Sequence, residues 1–251
     1  MIYTGFASVY DALMIEAPYD SWSEYLIKSM QEYGSGGISL LDSGCGTGEI
    51  SARLKKAGFD VTGIDISEEM LAVAQQKSAE EGLRIPFYQM DMRKLEGFEE
   101  PFDAILICCD SLNYLTSEED VKEAFRQASN NLKENGLLIF DVHSPYKMEE
   151  IFKGATFAEA EEEASYIWNC FEGEAPLSVE HELTFFIQEQ DGRYSRFDEL
   201  HQQRTFTQQK YAEMLSEAGF ETAAVHADFT MESPHPESER IFFIAKKNNP
   251  A

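Results

Sequence analysis

Two hydrophobic periodicities divide the chain. Trp22, Leu26, Met30 and Tyr33 recur at helical spacing behind Ser21-Trp22-Ser23-Glu24, which has the form of a capping box, and the glycine-rich stretch from Gly34 breaks the pattern. Strand and helix patterns then alternate. Residues 38–41 read as a buried strand, and Ile50, Leu54 and Ala57 give a helical stripe stopped by Gly58. Residues 61–64 form a second strand ending in Asp65, and Ser67 caps a helix carrying Met70, Leu71 and Ala74. Residues 85–90 and 104–108 read as strands three and four. Ser117 caps a helix whose Val121, Phe125, Ala128 and Leu132 share one face, Gly136 is its expected stop, and 137–142 is the fifth strand. After His143 the period changes to two: Val179, His181, Leu183, Phe185 and Ile187 alternate with Glu180, Glu182, Thr184 and Phe186, and Asp191-Gly192 supplies a turn. Thr207 then caps a helix with Tyr211, Met214, Leu215 and Ala218, followed by strands over 222–227 and 240–245. Repeated strand–helix units require right-handed crossovers and a parallel sheet covered on both faces. The expected fold is therefore α/β, a doubly wound, mostly parallel seven-stranded sheet, with an antiparallel β insert after strand five. Residues 1–145 and 205–251 would form the main domain and 146–204 the insert, used as a substrate lid or as a dimer interface.

Composition narrows the setting. A hydrophobic content of 43% with 18 Phe supplies a packed core for 251 residues. No apolar run reaches the roughly 18–20 residues of a membrane span, and the N-terminus lacks the basic-then-apolar layout of a signal peptide. Four cysteines without Cys-x-x-Cys spacing suggest neither a zinc site nor a disulfide framework, so a cytoplasmic location and no metal are expected. The net charge of −26 repels nucleic acid and anionic membranes and leaves a small molecule as the expected partner.

The stretch Asp42-Ser43-Gly44-Cys45-Gly46-Thr47-Gly48, directly behind the first strand, carries the chemistry. Glycines there let the chain turn tightly and let a ligand approach the backbone, and the helix that follows offers unpaired N–H groups. A dinucleotide fingerprint requires a glycine at position 49, where this chain has Glu49. That argues against the competing reading of a nicotinamide-dependent oxidoreductase. The pattern resembles the class I S-adenosylmethionine (SAM)-dependent methyltransferases. Tyr3-Thr4-Gly5-Phe6-Ala7-Ser8-Val9-Tyr10-Asp11 is similar to the Tyr-x-x-Phe-Ala-x-x-Tyr-Asp lead-in of small bacterial members, and residues 137–142 and 240–246 resemble the family's fifth and last strands. The likeness covers 1–145 and 205–247.

The resemblance implies a Rossmann-like methyltransferase fold with SAM as cofactor and a residue-by-residue site. Asp42 would hold the methionyl end, beside Gly44, Cys45 and Gly46. Asp65, followed by Ile66, would accept both ribose hydroxyl protons. Asp91 would accept from the adenine amino group, the Met92 amide would contact the ring edge, and the carbonyl of Cys108 would meet the cofactor ammonium. Tyr3 and Tyr10 would fold over the cofactor or serve as core aromatics. A strand-end aspartate is by itself most often a helix cap; three of them in register with the glycine loop point to a ligand. For the acceptor, His143 and Tyr114 are the candidate bases, and His201 and Arg204 candidate substrate-binding residues. Asp110-Ser111-Leu112-Asn113-Tyr114 stands where amino-methylases of adenine or glutamine carry Asn/Asp-Pro-Pro-Tyr/Phe, so a small-molecule N, O or C acceptor is expected. A SAM-binding protein without turnover is the remaining alternative.

Overall fold

A computed structural model describes residues 17–34, 36–160, 164–189 and 191–248. Helix α1 (Tyr19–Tyr33) begins before the expected capping box, because Pro18 leads in with φ −77° and the Trp22 amide already donates to its carbonyl at 3.1 Å. The proline ring presets the helix start, leaving Ser21 inside the first turn. The alternation that follows is β1 (Ser39–Ser43), α2 (Glu49–Lys56), β2 (Asp60–Asp65), α3 (Glu68–Glu80), β3 (Phe87–Gln89) and β4 (Phe102–Ile107). A 3₁₀ turn (Ser111–Tyr114), α4 (Glu118–Asn131) and β5 (Leu132–His143) complete the first half. The expected caps are in place: Ser67 accepts from the Met70 amide at 3.2 Å and Ser117 from Asp120 at 3.1 Å.

Gly136 does not stop α4. The helix ends at Asn131, and Leu132 turns to φ −95°, ψ 144° to pair beside Phe102 as the start of β5. Gly136 instead lies where a Cβ would come within 2.9 Å of the Lys133 carbonyl and 3.2 Å of the Asp103 carbonyl, at the irregularity in the β4–β5 pairing. Close backbone approach is what requires glycine there.

The seven-stranded sheet runs β10-β11-β5-β4-β1-β2-β3, where β10 (Phe220–Ala227) and β11 (Arg240–Lys247) are the last strands in the chain. Strands β1 to β5 are mutually parallel, and β11 is antiparallel to both β5 and β10. The chain order reverses between β1 and β4, the edge where ligands of open α/β sheets bind. Leu138, Phe140 and Val142 of β5 join Phe243 and Tyr211 in one core, while Leu137 and Ile139 join Trp22, Leu26 and Phe242 in the other. Period-two alternation thus feeds both faces. Phe140 stacks on Phe243 at 4.8 Å between centroids, and truncating either ring would cost about 3–5 kcal/mol.

Between β5 and helix α5 (Gln208–Glu217) a π-helical turn (Lys147–Phe152) leads into a second sheet ordered β6-β7-β8-β9. Its strands are β6 (Thr156–Ala160), β7 (Ala164–Glu172), β8 (Ser178–Gln188) and β9 (Tyr194–Arg204), all antiparallel. The alternation read along β8 is realised: Val179, His181, Phe185 and Ile187 are buried. The root of this sheet is pinned to the main one. Thr205 Oγ1 donates to the His143 carbonyl at 2.6 Å, and Asn113 accepts from the His143 amide (2.9 Å) while donating to the Arg204 carbonyl (2.7 Å). Among the described residues no helix is long and apolar enough to cross a membrane.

Candidate active site

The carboxyl ends of β1, β2, β3 and β4 and the inner face of β9 enclose a cavity of about 520 Å³. Its floor is the glycine loop. Gly44 has φ +81°, and a Cβ there would come within 2.8 Å of Ser111; Gly46, at φ +52°, lies open to the cavity. Only glycine holds both conformations without a clash or loss of ligand space. Asp42, 1% exposed, accepts from Ser51 Oγ at 2.5 Å. Burial, reinforced by the Asp65 charge, raises its pKa to about 6 despite that hydrogen bond. Asp65 at the tip of β2 braces the loop, accepting from the Gly46 amide (2.8 Å) and the Ser67 amide (2.9 Å). Next to it Ile66 is 65% exposed along the cavity wall. Asp91 and Met92 also line the wall; Arg93 forks onto the Asp91 carboxylate and reaches Asp120.

At the β4 end, Cys45 and Cys108 reach the cavity as buried side chains whose thiols burial pushes well above their ordinary pKa, so neither is a ready nucleophile. The Cys108 carbonyl accepts from the Ser111 hydroxyl at 2.8 Å and thereby shapes the 3₁₀ turn. Cys109 and Asp110 follow with φ 55° and 54°, two consecutive non-glycine residues in the left-handed region. The carboxylate of Asp141, fully buried on β5, holds them there by accepting from both amides at 2.9 and 3.0 Å. The same carboxylate accepts from Trp22 Nε1 at 2.9 Å and from Arg240, whose guanidinium sits 4.6 Å over the Trp22 ring. Arg240 also donates to Asp110 at 3.0 Å, and Gln203 of β9 donates to the other Asp110 oxygen at 2.9 Å. Burial works against the Asp110 charge, but His143 and Arg240 outweigh it and keep the carboxyl far below the usual range. Gln203 in turn meets His181 at 3.2 Å, which accepts from Trp168 at 3.0 Å. A continuous polar chain therefore joins the second sheet to the β4 loop.

Tyr114 and His201 line the cavity together, Tyr114 Oη lying 3.2 Å from His201 Nδ1, and Glu199 joins them from the same face of β9. Tyr114 is 50% exposed, but desolvation by the cleft walls, with Asp110 adding to the effect, pushes its phenol up, and burial lowers His201 against the pull of Glu199. Two expected residues stand elsewhere. His143, expected to face the cleft, is 4% exposed and one layer back, its Nε2 3.4 Å from Asp110, because β5 points it at the same face as Asp141. Arg204 turns away to the Thr116 carbonyl (2.9 Å) and the Pro176 carbonyl (3.2 Å), stacking over Phe206. Tyr3 and Tyr10 lie outside the described residues. The roles of Asp110, Asp141, Arg240, Gln203 and Glu199 were not read from the sequence. The available signals were a charge inside the apolar run 137–142 and one at the head of 240–245. Among the described residues no His, Cys, Asp or Glu cluster could hold a metal ion.

Loop, strand-end acids and switch point together define a site for an extended polar ligand on a doubly wound sheet. A family model described as a methyltransferase domain matches residues 40–136. The chain is 52% identical over 248 residues to a protein of Geobacillus sp. (strain WCH70) that carries a methyltransferase name, covering 98% of this chain and 100% of that one. It is likewise 52% identical over 248 residues to YqeM of Bacillus subtilis (strain 168), also named as a methyltransferase, covering 99% and 98%. A crystal structure of a SAM-dependent methyltransferase from Clostridium acetobutylicum ATCC 824 superposes with TM-score 0.88 at 28% identity, covering 97% and 98% of the two chains. The chain belongs to the class I SAM-dependent methyltransferases. SAM is its cofactor, and the residues present fit it: a glycine cradle without Cβ atoms, a carboxylate at the tip of β2, apolar Ile66 and Met92, and a buried acid at the floor.

Proposed function

We propose that the chain transfers a methyl group from SAM, in line, to a nitrogen, oxygen or carbon of a small molecule held between the 3₁₀ turn and the second sheet. The carrying observation is that β9 brings Glu199 and His201 into the wall of the cavity that Asp42, Gly44 and Asp65 also line. Its volume of about 520 Å³ is of ligand size. Bound SAM supplies a methyl carbon on a positively charged sulfur, so the protein has mainly to align the acceptor and exclude water. On this reading Asp65 takes the ribose hydroxyls, Asp91 and Met92 the adenine, and Asp42 the methionyl end. Residues 1–145 and 205–251 hold the cofactor, and 146–204 roof the acceptor. His143 and Gln203 position Asp110. The −26 charge favours a neutral or cationic acceptor over nucleic acid or an anionic membrane. The four free thiols suit a reducing cytoplasm.

The test is to incubate purified protein with SAM and fractionated metabolites and to measure S-adenosylhomocysteine. At least one fraction should produce it. A Glu199→Ala/His201→Ala double variant should lose that production while keeping the melting shift caused by S-adenosylhomocysteine. No turnover with any fraction, despite SAM binding, would sink the proposal. One observation favours a second use of the insert: Ile167, Phe171 and Leu200 are exposed on its outer face at 41%, 47% and 61%. We propose a homodimer through that face, which sedimentation would detect and Phe171→Glu with Leu200→Glu would disperse.

A further inference from the structure

We infer that the methyl acceptor is a small amine that arrives protonated, and that Tyr114 and His201 relay its proton away before methyl transfer. This deepens the reading of the cavity given above and rests on it. The acceptor end presents two carboxylates, Asp110 at the β4 loop and Glu199 on β9. Among the described residues lining the cavity, Arg93 is the one arginine or lysine, and it is committed to Asp91 and Asp120. Arg204, expected as a substrate-binding residue, points out of the cavity at two backbone carbonyls. A carboxylate or phosphate in the acceptor would therefore sit beside Asp110 and Glu199 without a counter-ion. An ammonium would have the Glu199 carboxylate, Asp110 being already paired with Arg240, and the negative field of the whole chain would steer it in.

An ammonium has no lone pair, so it must lose a proton before it can attack. Tyr114 Oη and His201 Nδ1, 3.2 Å apart, give that proton a path. The phenol stays protonated, since desolvation in the cleft and the Asp110 charge hold its pKa up, and in this relay it is the donor to the imidazole. The imidazole stays neutral, since burial holds its pKa down, and it can accept. As an ammonium N–H passes its proton to Tyr114 Oη, the Tyr114 hydroxyl proton moves to His201 Nδ1. The imidazolium formed has Glu199 on the same face of β9 to offset its charge. The freed nitrogen then forms its bond to the methyl carbon while the carbon–sulfur bond breaks and leaves its electron pair on sulfur. One positive charge ends on the methylated nitrogen and one on His201, to be released to solvent. The ionisable groups facing this pair are Glu199 and His181 from the second sheet, with Asp110 and Asp65 from the main sheet.

The experiment pairs 2-aminoethanol, benzylamine and glucosamine with ethylene glycol, benzyl alcohol and glucose, using methyl-labelled SAM and mass spectrometry. Label should enter amines and none of the alcohols. Calorimetry should show the accepted amine binding the protein–S-adenosylhomocysteine complex, with affinity roughly tenfold weaker in Glu199→Gln. His201→Phe should bind S-adenosylhomocysteine as wild type does and turn over roughly a hundredfold more slowly near neutral pH. That deficit should shrink as pH approaches about 10, where the amine is already neutral. Labelling of the alcohols alone, or a His201→Phe deficit constant across pH, would overturn the inference. Failure of wild-type protein to bind S-adenosylhomocysteine would instead overturn the cofactor reading beneath it.

Discussion

Replacing Asp141 by asparagine tests whether the buried clamp sets the shape of the site. The carboxylate accepts four hydrogen bonds, from Trp22 Nε1, the Cys109 and Asp110 amides, and Arg240. An amide presents one NH₂ group, so whichever way it turns, two of these donors face another donor. Each hydrogen bond to a charged group is worth about 1.5–3 kcal/mol. With Arg240 keeping Asp110 as its partner, the net loss should be about 3–5 kcal/mol, the range for breaking one side of a buried pair. A chain of this size loses about 2–4 °C per kcal/mol, so the melting temperature should fall by about 6–20 °C. The left-handed pair Cys109-Asp110, which costs on the order of 1 kcal/mol or more per residue, would relax once its amides are released. The cavity wall moves with it, and S-adenosylhomocysteine affinity should drop roughly tenfold. Calorimetric melting and ligand titration measure both quantities. Asp191→Asn, which removes only an exposed pairing with Arg193, should leave the melting temperature unchanged. A melting temperature for Asp141→Asn within about 2 °C of wild type would refute the clamp, as would lost stability with unchanged ligand affinity.

Two further outcomes follow from the strand-end acids. Asp42 has a folded pKa of about 6 against an ordinary 3.8, so the folded state favours its proton and stability falls as pH rises from the lower value through the higher. The full effect is about 3 kcal/mol; Asp42→Asn should melt higher than wild type near neutral pH and lose that advantage near pH 4. Wild-type SAM affinity should strengthen as pH rises through about 6 and that of the variant should not; a pH-independent difference between the two proteins would count against the assignment. Asp65→Ala should weaken SAM by about 1.5–3 kcal/mol in calorimetry, and unchanged affinity would remove Asp65 from the site.

Most of the secondary structure could be read directly because its causes are local. Ser67, Ser117 and Thr207 cap helices from three residues away, and the burial of β8 follows its own alternation. Local reading failed where a neighbour overrode it. Pro18 displaced the helix start expected from Ser21, and the pairing of Leu132 with Phe102 ended α4 before Gly136.

By itself the sequence determined the α/β alternation, which rests on contacts within a few residues, and the glycine loop with its strand-end acids, a contiguous pattern whose family resemblance implied the cofactor class. Only the tertiary structure decided what lines the end of the cavity beyond the glycine loop. Arg240 reaches Asp141 across 99 positions and Asp110 across 130, and Gln203 reaches Asp110 across 93. Neighbouring strands of a sheet can lie far apart in the chain, so no periodicity records which buried charge will meet which partner. The same geometry withdrew His143 behind Asp110, turned Arg204 outward, and set Glu199 and His201 over the cofactor cleft.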